Sequence, residues 1–61
     1  MNNMPYTVVH YCDYFFTHTR IEKHYPTAKE ALKKAAFHMS CFWVHRAEVW
    51  KGDFRLLLAV N

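Results

Sequence analysis

Histidine and cysteine are the residue types in this chain that could bind a metal. Five His and two Cys occur among 61 residues. His10 and Cys12 would share one face of a strand, and His38 and Cys41 would lie about one helical turn apart; four such ligands would suit tetrahedral zinc. No Cys-x-x-Cys pair is present, however, and His38 and Cys41 are expected to point away from the apolar side of the helix. We therefore expect no metal and no other cofactor.

The same residue types could supply a catalytic nucleophile. Cys12, paired with His10 or His45, would form a thiolate. The chain has a single Gly, so it lacks a glycine-rich loop that could hold a phosphate or an oxyanion. Its five acidic residues are spread over predicted loops and surfaces rather than paired. The sequence thus favours a protein that is not an enzyme.

Composition is typical of a small folded protein. The apolar fraction is 52%, the aromatic fraction 18% and the formal net charge +3, which is too apolar and too weakly charged for a disordered chain. A chain of this length makes one domain near the lower size limit for a hydrophobic core. We assign residues 1–61 to a single domain and expect residues 1–5 to be flexible.

Targeting signals are not visible in the sequence. The first residues lack the charged segment and following apolar segment of a secretory signal. The longest apolar run, residues 56–60, is too short to cross a membrane. Cys12 and Cys41 are then most simply reduced thiols. The expectation is a cytoplasmic protein without a membrane partner.

Two strands are predicted before the helix. Residues 6–12 are rich in β-branched and aromatic side chains, and residues 15–23 continue this pattern with alternating faces. No Gly or Asn-Gly pair fixes the turn between them. We place a two-residue loop at Asp13 and Tyr14.

The helix has a clear start. Thr27 and Glu30 form a capping box, in which the Thr27 hydroxyl accepts from the backbone N–H of Glu30. Apolar residues then recur at helical spacing, and the helix is expected to end between His38 and Phe42. The predicted apolar stripe consists of Ala28, Ala31, Leu32, Ala35, Ala36 and Met39.

A second hairpin follows the helix. Gly52-Asp53 suits a two-residue turn with Gly first. Folding the chain about this turn pairs Val49 with Leu56, Ala47 with Leu58 and His45 with Val60 on one face, which is apolar apart from His45. The other face then carries Val44, Arg46, Glu48 and Trp50 beside Arg55, Leu57 and Ala59.

These elements predict an α+β fold of order ββαββ, a small domain in which a four-stranded, mainly antiparallel sheet has one helix packed on one face. A single helix leaves the other sheet face open, and that face combines aromatic residues with Arg, the types enriched at interface hot spots. Trp50 would lie across from Arg55, which can stack on the indole. The predicted partner-binding residues are Tyr11, Phe16, His18, Arg20, Arg46, Trp50, Arg55 and Leu57.

Three functions fit such a face. The leading hypothesis is a non-enzymatic protein-binding module. One alternative is a small nucleic-acid-binding regulator, in which aromatics stack on bases and Arg neutralises phosphates. The other is an obligate homodimer, in which the open face has a purely structural role. In size and architecture the chain is similar to small bacteriophage-encoded proteins, which often block a host protein. This resemblance implies an inhibitor or modulator of a host protein, acting in the cytoplasm of the host cell.

Overall fold

The computed structural model describes residues 3–14 and 17–60. The elements are β1 (Tyr6–Tyr14), β2 (Thr17–Tyr25), α1 (Ala28–Met39), β3 (Val44–Lys51) and β4 (Phe54–Val60). The strands form one open sheet in the order β2-β1-β3-β4, and every neighbouring pair is antiparallel. The predicted α+β fold of order ββαββ is confirmed.

The first hairpin turns later than predicted. Tyr14 pairs with Thr17, and Asp13 lies within β1, opposite His18. Tyr11 pairs with Arg20, whereas a loop at positions 13 and 14 would pair it with residue 16. The difference is an even number of positions, so Tyr11, His18 and Arg20 keep their predicted face.

Helix α1 begins and ends where the sequence predicts. Thr27 is the N-cap, and its hydroxyl accepts from the Glu30 backbone N–H at 3.2 Å. The helix ends at Met39, where the Ser40 backbone N–H donates to the carbonyl oxygens of Ala36 at 3.2 Å and Phe37 at 3.1 Å.

The core between α1 and the sheet is built from small side chains. The buried cluster contains Val8, Ala31, Ala35, Ala47 and Val49, with Tyr6, Tyr25, Met39 and Leu57 packed against it.

The helix is rotated about its axis relative to the prediction. Leu32 and Ala36 are exposed, although both were assigned to the apolar stripe. His38 instead faces the sheet, where its ring stacks on that of His10 with centroids 3.9 Å apart. Most residues of the predicted stripe are alanines of the same small size, so the sequence pattern does not fix which of them meet the sheet.

The second hairpin contains a β-bulge that changes its faces. Gly52 has φ +58°, as the first position of a primed two-residue turn requires, and Trp50 pairs with Arg55 as predicted. Beyond that pair the register shifts, and Val49 pairs with Leu57 instead of Leu56. The extra residue in β4 reverses the face of every later side chain. Leu57 therefore lies on the helix side, packed against the core, and its assignment to the open face was wrong.

A second irregularity, between β1 and β3, corrects the predicted faces of Val44 and His45. Tyr11 pairs with Arg46 while the next residue, Cys12, pairs with Val44, so His45 is the extra residue. Val44 is buried, and the His45 ring lies near Tyr11, with centroids 6.4 Å apart. Both residues thus take the face opposite to the predicted one.

Within residues 3–14 and 17–60, no helix has the length and apolar character needed to cross a membrane.

Candidate functional site

The sheet face opposite α1 carries the candidate site, and we call it the open face. Helix α1 packs on the other side, against β1 and β3 and to a smaller extent β2. The pairing registers place the following residues on the open face: Thr7, Val9, Tyr11, Asp13, His18, Arg20, Glu22, His24, His45, Arg46, Glu48, Trp50, Arg55, Leu58 and Val60.

The predicted partner-binding residues fall into three groups. Phe16 lies outside the described residues, and Leu57 lies on the helix side. Leu58 and Val60 occupy the positions on β4 that the prediction gave to Leu57 and Ala59. The others share the open face as predicted: Tyr11, His18, Arg20, Arg46, Trp50 and Arg55.

Glu48 organises the half of the open face formed by β3 and β4. The residue is only 4% exposed, and its carboxylate accepts a hydrogen bond from Trp50 Nε1 at 3.0 Å. Arg46 Nε lies 3.0 Å from Oε2 and Arg55 Nη1 lies 3.7 Å from Oε1. Arg46 Nε forms no hydrogen bond within the described part of the chain, because its N–H is not aligned with the carboxylate. The contact between Arg46 and Glu48 is thus an ion pair without hydrogen-bond geometry.

The two arginines held by Glu48 each lie over an aromatic ring. Arg55 Cζ is 5.9 Å from the centroid of Trp50, and Arg46 Cζ is 5.5 Å from that of Tyr11. These distances are within the range of cation–π attraction. A single buried carboxylate therefore fixes two guanidinium groups against two aromatic rings.

The β2 side of the open face extends this arrangement. Arg20 Nε donates to the Tyr11 hydroxyl at 3.3 Å, and Arg20 Nη2 lies 2.7 Å from Glu22 Oε1. The hydrogen bond with Tyr11, followed by that with Glu22, raises the pKa of Arg20. Between the rows from β2 and β3 the surface forms a shallow depression that opens widely to solvent. Such a shape suits a flat partner surface better than an enclosed small molecule.

A cluster at the end of the open face was missed by sequence reasoning. Asp13, His18 and His45 place one ligand atom each within 4.8 Å of one another. His18 Nδ1 donates to Asp13 Oδ1 at 2.5 Å, and His45 Nε2 lies 3.8 Å from the same oxygen. Asp13 was taken as a turn residue and His45 was placed on the apolar face. The pairing of Asp13 with His18 could be predicted only from the actual position of the first turn. The position of His45 could be predicted only by placing the bulge in β3.

The helix side holds a second histidine pair. The rings of His10 and His38 are stacked. In the sequence, His10 was grouped with Cys12 and His38 with Cys41 as possible zinc ligands. The pKa of His10 is lowered mainly by burial and secondly by the charge of Lys23. The pKa of His38 is lowered mainly by burial and secondly by the charge of its neighbour His10. Cys12 is buried, and Cys41 Sγ lies 3.8 Å from the Phe37 carbonyl oxygen, to which it donates. The four residues do not form a common ligand cluster within the described part of the chain.

No protein family model, curated protein or solved structure matches this chain.

Proposed function

We propose that this protein is a non-enzymatic protein-binding module that acts through the open face. The observation that carries the proposal is the buried carboxylate of Glu48, which holds Arg46 and Arg55 over Tyr11 and Trp50. Leu58 and Val60 are exposed on the same face. Aromatic and arginine side chains fixed beside exposed apolar residues are the usual anchors of a protein interface.

Fixing these side chains in advance favours binding. Ordering a flexible side chain at an interface costs roughly 0.5–1.5 kcal/mol. Arg46 and Arg55 already have positions set by Glu48 in the free protein, so binding restricts them less than it would restrict an isolated arginine.

The charges on the open face define the chemistry of the partner. Glu48 is buried, whereas Arg20, Arg46 and Arg55 expose about half of their side chains or slightly less (52%, 41% and 41%). Glu22, which pairs with Arg20, is 43% exposed, so the positive charge of the face is concentrated at Arg46 and Arg55, beside the exposed Leu58 and Val60. The matching partner is a protein surface with carboxylates around an apolar residue. Occupying such a surface on a host protein would make this chain an inhibitor or modulator, as its resemblance to small bacteriophage-encoded proteins implies.

The proposal is tested by affinity capture from cell extract followed by titration of the captured protein. Wild type, Trp50→Ala and Arg55→Ala serve as bait. Phe37→Ala is the matched control, because Phe37 is an exposed aromatic residue on α1. We expect a protein that binds wild type and Phe37→Ala but binds Trp50→Ala about thirtyfold more weakly, as is typical of a hot-spot residue. Circular dichroism verifies that each variant is folded.

Two results would contradict the proposal. The first is a captured protein that binds Trp50→Ala and Arg55→Ala as tightly as wild type, because its site would then lie elsewhere. The second is nuclease-sensitive binding that weakens steeply with salt. That salt response indicates phosphate contacts and would favour the alternative function, a nucleic-acid-binding regulator.

A specific observation favours self-association as a second candidate. β4 is an edge strand, and Leu56, Leu58, Val60 and Phe54 on it are exposed, the last two at 64% and 70%. The opposite edge, β2, carries Arg20, Glu22 and Lys23, the kind of charged residue that prevents edge pairing. Antiparallel pairing of two β4 strands would join the sheets of two copies. The molar mass in solution separates this candidate from a monomeric binding module.

A further inference from the structure

The cluster of Asp13, His18 and His45 has the ligand types of a transition-metal site. It offers one carboxylate oxygen and two imidazole nitrogens. Imidazole suits zinc, copper, nickel and iron, whereas magnesium and calcium prefer oxygen ligands alone. The ligand types thus select a divalent transition metal over the alkaline-earth ions.

Three strands fix the position of these ligands. Asp13 in β1 lies directly opposite His18 in β2. The Asp13 backbone N–H donates to the Trp43 carbonyl oxygen at 3.0 Å, which joins β1 to the start of β3. The bulge at His45 then directs this side chain to the same face. Each ligand therefore comes from a different strand, and the backbone pairing of the sheet brings all three together.

The distances between the ligand atoms fit a metal ion after small side-chain movements. Ligands about 2.0–2.2 Å from a tetrahedral zinc ion lie roughly 3.3–3.6 Å from one another. The two separations in the structure, 2.5 Å for Asp13–His18 and 3.8 Å for Asp13–His45, lie on either side of that range. All three side chains are exposed, so rotation about their side-chain torsions can adjust both distances.

Nearby charges are already paired. Arg20 and Arg46 lie on the same face as the cluster, but Arg20 contacts Glu22 and Arg46 contacts Glu48. Their net effect on a cation at Asp13 is therefore smaller than that of two free guanidinium groups.

We infer that Asp13, His18 and His45 bind one divalent transition-metal ion, for which zinc is the probe. Three protein ligands leave a coordination position that water or a side chain of a partner can fill. The inference does not depend on the proposed protein-binding function, because that proposal rests on Glu48 and the arginines and aromatic rings around it, whereas the cluster lies at the end of the same face.

The test is isothermal titration of the whole protein with zinc chloride, with magnesium chloride as the comparison. Wild type is compared with Asp13→Asn, His18→Gln and His45→Gln. His24→Gln is the matched control, because His24 is an exposed histidine on the same strand and face as His18 but outside the cluster. We expect saturable binding of one zinc ion, weakened about tenfold or more in each ligand variant and unchanged in the control.

A second measurement reports the coordination directly. Cobalt(II), used in place of zinc, should give the visible absorption of a low-coordinate nitrogen and oxygen site in wild type but not in His18→Gln. The inference is overturned if wild type shows no saturable zinc binding, or if the ligand variants bind zinc as tightly as wild type. An equal loss of binding in His24→Gln would also overturn it, since the metal would then be held elsewhere.

Discussion

His10 and His38 form a stacked pair between the sheet and the helix, with ring centroids 3.9 Å apart. His10 is buried, and Lys23 and Lys34 add positive charge near the pair. Burial is the largest cause that lowers the pKa of each ring below the ordinary value of 6.5. Both rings therefore remain neutral at a pH at which an exposed histidine would take up a proton.

This pair predicts a loss of stability in acid. As pH falls below about 6.5, the unfolded chain binds protons before the folded chain does, so the free energy of unfolding decreases until the lower folded-state pKa is passed. His38→Phe keeps a ring at this position but cannot titrate. We expect urea unfolding to show a smaller decrease between about pH 7.5 and pH 5 for His38→Phe than for wild type.

The control for this prediction is His24→Phe, which makes the same substitution at an exposed histidine outside the stacked pair. Comparing variants at the same pH cancels the contributions to stability that all of them share. Equal pH dependence of wild type and His38→Phe would contradict the prediction.

At the residue scale, the types of side chain on the open face could be predicted but their interactions could not. Alternation along the strands placed Tyr11, Arg46, Trp50 and Arg55 together. The burial of Glu48 beneath two arginines and a tryptophan depends on side-chain torsions, which the sequence pattern does not specify. A carboxylate in an exposed strand pattern gives no signal that it will be 4% exposed.

At the scale of elements, the small side chains of α1 let the helix lie close to the sheet. Ala35 is fully buried against the core cluster, whereas the neighbouring Ala36 is exposed. We predict that Ala35→Leu lowers the free energy of unfolding by about 1–3 kcal/mol, because the added atoms would force helix and sheet apart.

Ala36→Leu is the matched control, since it adds the same atoms at the solvent side of the same helix turn. Its expected effect on urea unfolding is within about 0.5 kcal/mol of wild type. An equal loss in both variants would contradict the rotation of α1 described above.

The turns and bulges that join and bend the strands were predicted less well than the strands themselves. Gly52-Asp53 fixed the second turn because only a few residue types tolerate a positive φ. The bulge in β4 lies in a run of apolar residues, Leu56 to Val60, where no polar residue marks which side faces the core. Leu57 was misplaced for this reason. In the first hairpin the turn was also misplaced, but an even displacement left the faces intact.

At the scale of the whole molecule, the two sheet edges differ in their capacity to associate. The second candidate, self-association through β4, predicts that the molar mass of wild type, measured by light scattering over a concentration series, rises towards that of a dimer, and that Leu58→Lys remains monomeric. A lysine on an edge strand opposes pairing with another chain. Leu58 lies opposite Glu48, so the monomer can accommodate the new charge.

The control is Leu32→Lys, which places the same charge at an exposed leucine on α1 and should associate as wild type does. A monomeric wild type at every concentration would exclude self-association through β4. A dimer that persists in Leu58→Lys would show that a different surface holds the two copies together.

The pairing of β1 with β3 at the centre of the sheet has a consequence for how the chain folds. Each hairpin joins residues that are near in sequence, but the ladder from Tyr6–Lys51 to Cys12–Val44 joins residues that the whole of β2 and α1 separates. Closing so long a loop costs conformational entropy before its contacts can form. We therefore expect the pairing of β1 with β3 to be the slow step of folding, and early formation of α1 to speed it by shortening the loop between them.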